Sequence, residues 1–185
     1  KELSSALADA AAGLTGVVSL WGAERPKDQG TPAEVAEALS IEALALVQSL
    51  VRGEQKTTPR LWLVTEGAQA VVEGEAIAVA ATPLWGLGRV VMLEHPELKC
   101  TLVDLEPGAP DADAALWREL TQGDDENQVA VRSGTRRVAR LAGHRAGAGL
   151  PGLGAGRGAV FEMLPLPHAD GPAAAAASAA QGRRV

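Results

Sequence analysis

Short apolar runs alternate with longer stretches of helical periodicity along most of this chain. Leu3, Leu7, Ala10 and Leu14 recur at helical spacing in an alanine-rich opening, which Gly13 and Gly16 close. Thr15 to Trp21 then carries Val17, Val18 and Leu20 between glycines, the pattern of a buried parallel strand. A polar loop from Arg25 to Gly30 leads into Thr31-Pro32-Ala33-Glu34. Threonine at the cap, proline at the first helical position and glutamate three residues after the cap are a capping-box signature. The helix is predicted to run to about Arg52, with Gly53 as its stop. Val35, Leu39, Leu46 and Leu50 line one face, with Ala43 and Val47 beside them.

Arg60 to Glu66 reads as a second buried strand around Leu61, Trp62, Leu63 and Val64. Residues 68–80 alternate weakly about Gly74 and fit a hairpin or a loop equally well. Thr82-Pro83 repeats the threonine–proline helix start, for a helix through Leu84, Trp85, Leu87, Val90, Val91 and Leu93 that ends before Pro96. Gly86 and Gly88 inside it cost about 1 kcal/mol each relative to alanine, which close approach to a neighbouring strand or helix would offset. Leu98 to Leu105 is a third strand, and Asp111 caps a helix through Leu116, Trp117 and Leu120. Gln128 to Leu141 closes the series as a strand or a hairpin turning at Ser133-Gly134. This order predicts an α/β fold: a truncated Rossmann-like, mostly parallel sheet with helices on both faces.

Composition divides the chain at about residue 141. Residues 1–141 hold 21 acidic and 13 basic side chains; residues 142–185 hold 2 and 4. Of the last 44 residues, 26 are Gly, Ala or Pro, too little apolar area to offset the entropy of ordering them. The expected organisation is a domain over 1–141 and a Gly/Ala/Pro-rich linker or tail over 142–185. Within that tail Val160 to Leu164 is an apolar patch able to dock. The overall charge of −6 argues against a nucleic-acid or anionic-membrane binder. No run of 18 apolar residues offers a membrane span, and Lys1-Glu2-Leu3-Ser4 lacks a signal-peptide layout, so a cytoplasmic location is expected. One cysteine excludes an internal disulfide and a Cys-based structural zinc site. There is no tyrosine, so any mechanism needing a tyrosine acid is excluded for this chain alone.

Candidate chemistry is sparse. Gly147-Ala148-Gly149-Leu150-Pro151-Gly152 matches a dinucleotide pattern in form, but no strand precedes it and Pro151 removes an N–H. Trp21-Gly22-Ala23-Glu24-Arg25, after the first strand, has no glycine triplet. His95 reads as a polar helix end flanked by Glu94 and Glu97; His144 and His168 fall in the tail. Cys100 reads as a buried inert thiol. Asp124-Asp125-Glu126 reads as a solvated acidic loop, and Arg132, Arg136, Arg137 and Arg140 as a solvated strand face, with a partner contact second. The tryptophans Trp21, Trp62, Trp85 and Trp117 read as core or domain-interface residues. A ligand site of the doubly wound class would lie near Gly22, Glu66, Gly67, Asp104 and Glu106, with Glu66, Asp104 and Glu106 as its acid–base candidates. No catalytic, cofactor-binding or metal-binding residue is assigned.

Six stretches occur together in order: Gly16-Val17-Val18-Ser19-Leu20-Trp21, Arg60-Leu61-Trp62-Leu63-Val64-Thr65, Pro83-Leu84-Trp85-Gly86-Leu87-Gly88-Arg89, Leu93-Glu94-His95-Pro96-Glu97, Leu102-Val103-Asp104-Leu105 and Asn127-Gln128-Val129-Ala130-Val131-Arg132. As a set, over roughly residues 14–141, they resemble the structural subdomain of the ketoreductase of modular type I polyketide synthases. The resemblance implies two Rossmann-like halves, the first truncated and non-catalytic. The second would carry the NADPH loop and the serine and tyrosine that reduce a β-keto group. This chain resembles the first half, so NADPH is expected on a partner catalytic half. The other implied partners are an enoylreductase inserted between the halves and an acyl carrier protein. The partner surface would lie at the exposed ends of the tryptophan-bearing helices. The alternatives are a small-molecule enzyme or ligand binder of the doubly wound class and a stand-alone interaction module.

Overall fold

A computed structural model describes residues 13–24, 30–53, 58–122, 124–145 and 157–165. The predicted opening helix at Leu3–Leu14 falls almost wholly outside them, as do the glycine pattern at 147–152 and His168. The elements are β1 (Gly16–Leu20), α1 (Trp21–Glu24), α2 (Pro32–Arg52), β2 (Arg60–Glu66), α3 (Thr82–Glu94), β3 (Thr101–Leu105), α4 (Ala112–Thr121), β4 (Gln128–Arg132), β5 (Thr135–Arg145) and β6 (Arg157–Pro165). They build one sheet in the order β1-β2-β3-β4-β5-β6. The first four strands are parallel, and β5 and β6 are antiparallel additions.

Alternation along β2 and β3 sends side chains to opposite faces. Leu61, Leu63 and Leu102 meet Leu39, Leu46 and Leu50 of α2 and Leu84 and Trp85 of α3. Val64, Val103 and Leu105 meet Ala112, Ala115 and Leu116 of α4 on the other side. The helices thus cover both faces of a mostly parallel sheet, the expected α/β class. Because β1 to β4 are laid down in sequence in one direction, the crossover through α4 has the opposite hand to the two before it.

Local chemistry explains most boundaries. Thr31 accepts from the Glu34 backbone N–H at 3.3 Å, and the Glu34 carboxylate accepts from the Thr31 N–H at 2.8 Å, so the predicted capping box closes α2. The repeat at Thr82 is different. Thr82 is the first helical residue, Ala81 holds the cap position, and the Thr82 hydroxyl donates to the Ala68 carbonyl instead. A 3-10 turn at Val79–Ala81 already leads the chain into α3, which leaves no extended cap residue for threonine to occupy. Asp111 sits at the cap position of α4 without a side-chain capping bond. Residues 68–78 form a loop, not a hairpin, and β3 starts at Thr101 after a 3-10 turn at Pro96–Leu98.

Of the two helical glycines, only Gly88 is needed for close packing. A Cβ there would stand 2.4 Å from Leu102 Cδ2, whereas nothing lies within 4 Å of one at Gly86. Ser133 and Gly134 both have positive φ and form the two-residue turn between β4 and β5. The sheet continues past residue 141: β5 runs to Arg145, and the apolar patch Val160–Leu164 lies in β6, paired with β5. Met163 of β6 packs against the cluster beneath α2 and α3.

Candidate functional site

Ligands of open α/β sheets bind beyond the carboxyl ends of the strands. In this chain that rim holds Glu66 at the end of β2, Asp104 in β3 and Glu106 just after it. All three carboxylates are engaged by the protein itself. Asp104 is fully buried and accepts from the Thr65 hydroxyl at 2.6 Å, the Ala68 N–H at 2.8 Å, the Gln69 N–H at 3.2 Å and Arg132 Nη2 at 2.6 Å. Glu66 accepts from the Gly108 N–H at 2.9 Å, and Glu106 from the Ser133 N–H at 2.6 Å.

Arg132 sits at the centre of this rim and is 4% exposed. Nε donates to Glu75 Oε2 at 2.8 Å. Nη1 donates to the Asp104 and Val131 carbonyls, and Nη2 to the Gln69 carbonyl and the Asp104 carboxylate. Those acceptors account for all five N–H groups of a guanidinium. Burial alone would lower the Arg132 pKa, but the bonds and charges of Glu75 and Asp104 outweigh it, and the net direction is upward. Burial would likewise raise Glu75. Its bonds from Arg132 and from the Val71 and Val72 N–H groups prevail, and its carboxyl lies below its ordinary value. The Thr65 hydroxyl that donates to Asp104 also accepts from the Trp85 indole N–H at 3.0 Å. One chain of contacts therefore ties α3, β2, β3, β4 and the 68–78 loop together. Each oxygen of Asp104 accepts from two of these donors: Thr65 and Ala68 on one, Gln69 and Arg132 on the other.

The arginines depart furthest from the sequence-based expectation. Arg132 and Arg136 are buried and ion-paired, not a solvated face. Arg136 Nε donates to both Glu119 oxygens, at 2.9 and 3.1 Å, and Nη1 lies 2.9 Å from Asp124. Arg140 pairs with Glu126, and that bond holds the Glu126 carboxyl below its ordinary value against a smaller burial effect. So the loop at 124–126 is also not simply solvated: two of its three acids are anchors. The missed signal was parity. Val138 faces the core, and Arg136 and Arg140 share its face two residues away on either side.

The remaining candidates lie apart from one another. His95 ends α3, partly exposed, with Nδ1 3.1 Å from Glu97 Oε1, as expected of a polar helix end. Cys100 is buried, and burial pushes its thiol up to about 12, which makes it inert as a nucleophile. His144 falls in β5. Trp85 is 1% exposed, a core residue, and Trp21 and Trp62 pack against the two clusters; Trp117 stands 66% exposed on α4. Among the described residues no group of three or more His, Cys, Asp or Glu side chains has metal-holding geometry.

Beside the rim lies an open cleft of about 490 Å³ between α1, the start of α2 and the 76–81 segment. Gly22, Val35, Leu39 and Ala78 line it, and among the described residues Glu66 is its one ionisable side chain. A Cβ on Gly22 would meet the Val64 carbonyl oxygen at 2.7 Å and Leu84 at 2.8 Å, so this glycine serves α1–β2 packing. The start of α2 is closed by its own capping box, and Pro32 supplies no N–H.

Residues 1–141 match the family described as polyketide synthase extender module SpnB, Rossmann fold domain. The chain belongs to this family. Relatives of this Rossmann domain are long synthase polypeptides. A phenolphthiocerol/phthiocerol polyketide synthase of Mycobacterium tuberculosis is 39% identical over 121 residues, 63% of this chain and 6% of that protein. Erythronolide synthase EryA3 of Saccharopolyspora erythraea is 44% identical over 117 residues, 60% of this chain and 4% of the synthase. Pikromycin polyketide synthase component PikAII of Streptomyces venezuelae is 36% identical over 144 residues, 75% of this chain and 4% of that component. Among solved structures, a multidomain adenylation, ketoreductase and pseudo Asub structure of a keto acid-selecting NRPS module matches with a TM-score of 0.61 at 20% identity. That match covers 89% of this chain and 12% of the other, and it shows the shared fold. No helix among the described residues is long and apolar enough to cross a membrane.

Proposed function

We propose that this Rossmann domain is the structural, non-catalytic half of a polyketide synthase ketoreductase. It holds in shape a second half that binds NADPH and reduces β-ketoacyl chains carried on an acyl carrier protein. The observation that carries the reading is the engagement of Asp104: both its oxygens are taken up by four donors of the protein itself, one of them a buried guanidinium, at the end of the sheet where a doubly wound enzyme keeps its reactive groups. The backbone after β1 supports it, since Gly22 is used to pack against Val64 and Leu84. The absence of tyrosine from the sequence agrees with it. No residue of this chain takes a catalytic, cofactor or metal role in this reading.

Titrating the chain into NADPH and following nicotinamide fluorescence tests the proposal. No saturable change is expected up to millimolar protein. Tight, saturable binding abolished by Gly22→Val would overturn it. A complementary measurement expresses the catalytic half with and without this chain: reductase activity and thermal stability are expected only with both.

A further inference from the structure

A structural half has no use for the cleft between α1, the start of α2 and the 76–81 segment. At about 490 Å³ it falls within the roughly 300–1,000 Å³ of sites for small organic ligands. Val35 and Leu39 line it from α2, and Ile77, Ala78 and Val79 from the 76–81 segment. Two of these apolar side chains lack cover: Val79 is 65% exposed and Ile77 36%. The 76–81 wall is fixed by its own bonds. The Ala78 N–H donates to the Gly67 carbonyl at 2.7 Å, and the Val79 and Ala81 N–H groups donate to the Ile77 and Ala78 carbonyls at 2.9 and 3.0 Å. Just upstream, Glu75 is tied to Arg132. A cleft with held walls does not have to be ordered by its ligand.

The same bonds decide the charge of that ligand. Three N–H groups of the wall are engaged within it, the neighbouring Gly108 N–H is engaged by Glu66 Oε1, and Pro32 has none. Among the described residues no Lys, Arg or His side chain lines the cleft. An anion would therefore find no donor there and would meet Glu66 with like charge. Glu66 is partly exposed, and among the described residues its second oxygen, Oε2, receives no hydrogen bond. A wholly apolar ligand would cover that oxygen and leave it unpaired. The 21 acidic against 13 basic side chains of residues 1–141 also draw cations toward the domain. We propose that this cleft binds a small amine. Its aliphatic or alicyclic body lies against Val35, Leu39 and Ala78, and its ammonium group donates to Glu66 Oε2. The site goes beyond the structural role and requires neither NADPH nor catalysis.

Three probes with one ring and different head groups test it: cyclohexylmethylamine, cyclohexylmethanol and cyclohexanecarboxylate. Each is titrated into the full chain at pH 7 and followed by amide chemical shifts. The amine is expected to saturate, with shifts centred on Gly22, Glu66 and Ala78, and to bind about tenfold tighter than the alcohol, because its hydrogen bond is charged on both sides. The carboxylate should not saturate. Glu66→Gln keeps an acceptor for the Gly108 N–H and should bring the amine down to the alcohol. Ala78→Trp, at an exposed position, should fill the cleft and abolish binding while distant amide shifts stay in place. n-Butylamine, the length of a lysine side chain, should bind about tenfold more weakly than the cyclic amine, since it buries three fewer carbons. Equal affinity of the two amines would overturn the small-molecule assignment in favour of a lysine side chain. Equal binding of all three head groups, or amine binding indifferent to Glu66→Gln, would overturn the site itself. The structural-half reading fails on a different result, saturable NADPH binding by the chain, so the two failures are separable.

Discussion

The two sides of the sheet are held by different physics. Beneath α2 and α3 the contact is mostly apolar, from Leu39 to Leu50 on one helix and Leu84 to Val91 on the other, with the Trp85 indole N–H donating to the Thr65 hydroxyl among it. Beneath α4 only Ala115 and Glu119 of the helix are buried, and the glutamate is clamped by Arg136. A ten-residue helix with so little apolar area gains its position from a directional contact. The long helices gain theirs from area, and have apolar surface left over. The side beneath α2 and α3 is held by area; the α4 side joins a smaller apolar cluster to the ion pairs of Arg136.

The most damaging change should be to break a buried pair by halves. Arg136→Ala or Arg132→Ala leaves Glu119 or Asp104 buried and uncompensated, a loss of about 3–5 kcal/mol measurable by urea unfolding. Leu46→Ala, beneath α2, is expected to cost about 2–5 kcal/mol by cavity formation. Replacing both members of the α4 pair, Arg136→Met with Glu119→Leu, should be neutral or stabilising by about 1–4 kcal/mol, because it converts that side to the apolar kind. If the double variant unfolds as readily as Arg136→Ala, the contrast between the two sides is wrong. Gly88→Val should cost about 1–3 kcal/mol by driving α3 off Leu102, while Gly86→Ala should be stabilising by a few tenths up to about 1 kcal/mol.

Acid should act through the pairs. Glu75 and Glu126 have folded values below the ordinary 4.5. A depressed carboxyl contributes stability above its unfolded value and loses it as pH falls through the folded one. Thermal stability should therefore be flat from neutrality to about pH 5 and fall below it. Glu75→Gln should lower the plateau and flatten that fall, as read by melting curves across the range. The smallest effect belongs to the outward side of α2. Leu44→Glu, at a position 45% exposed, should change the stability of the chain to urea by no more than about 0.5 kcal/mol.

The apolar skeleton was legible in the sequence, because Val17–Leu20, Leu61–Val64 and Leu102–Leu105 are short runs between turn residues, and Thr31-Pro32-Ala33-Glu34 spells its own cap. What escaped was pairing over distance. Arg132 reaches Glu75 across 57 residues and Asp104 across 28, separations at which periodicity carries no information. Thr82 misled because its threonine–proline pair follows a 3-10 turn, whereas Thr31 is itself extended and free to cap. Topology brings Glu66, Asp104 and Glu106 to one rim, but the three carboxylates looked available only because their backbone donors, on Ala68, Gln69, Gly108 and Ser133, are invisible in a residue string.

The way β5 and β6 close the sheet bears on where such synthases can be cut and rejoined. A module swap that severs the chain at residue 141, where the family match ends, divides β5 four residues before its last and discards β6. The stump would keep its parallel strands and the ion pairs of Arg132, Arg136 and Arg140. It would also present the backbone donors and acceptors of β5 as a naked margin, open to pairing with any extended segment nearby. A junction placed after Pro165 keeps the β5–β6 ribbon whole, with Met163 still packed against the cluster beneath α2 and α3.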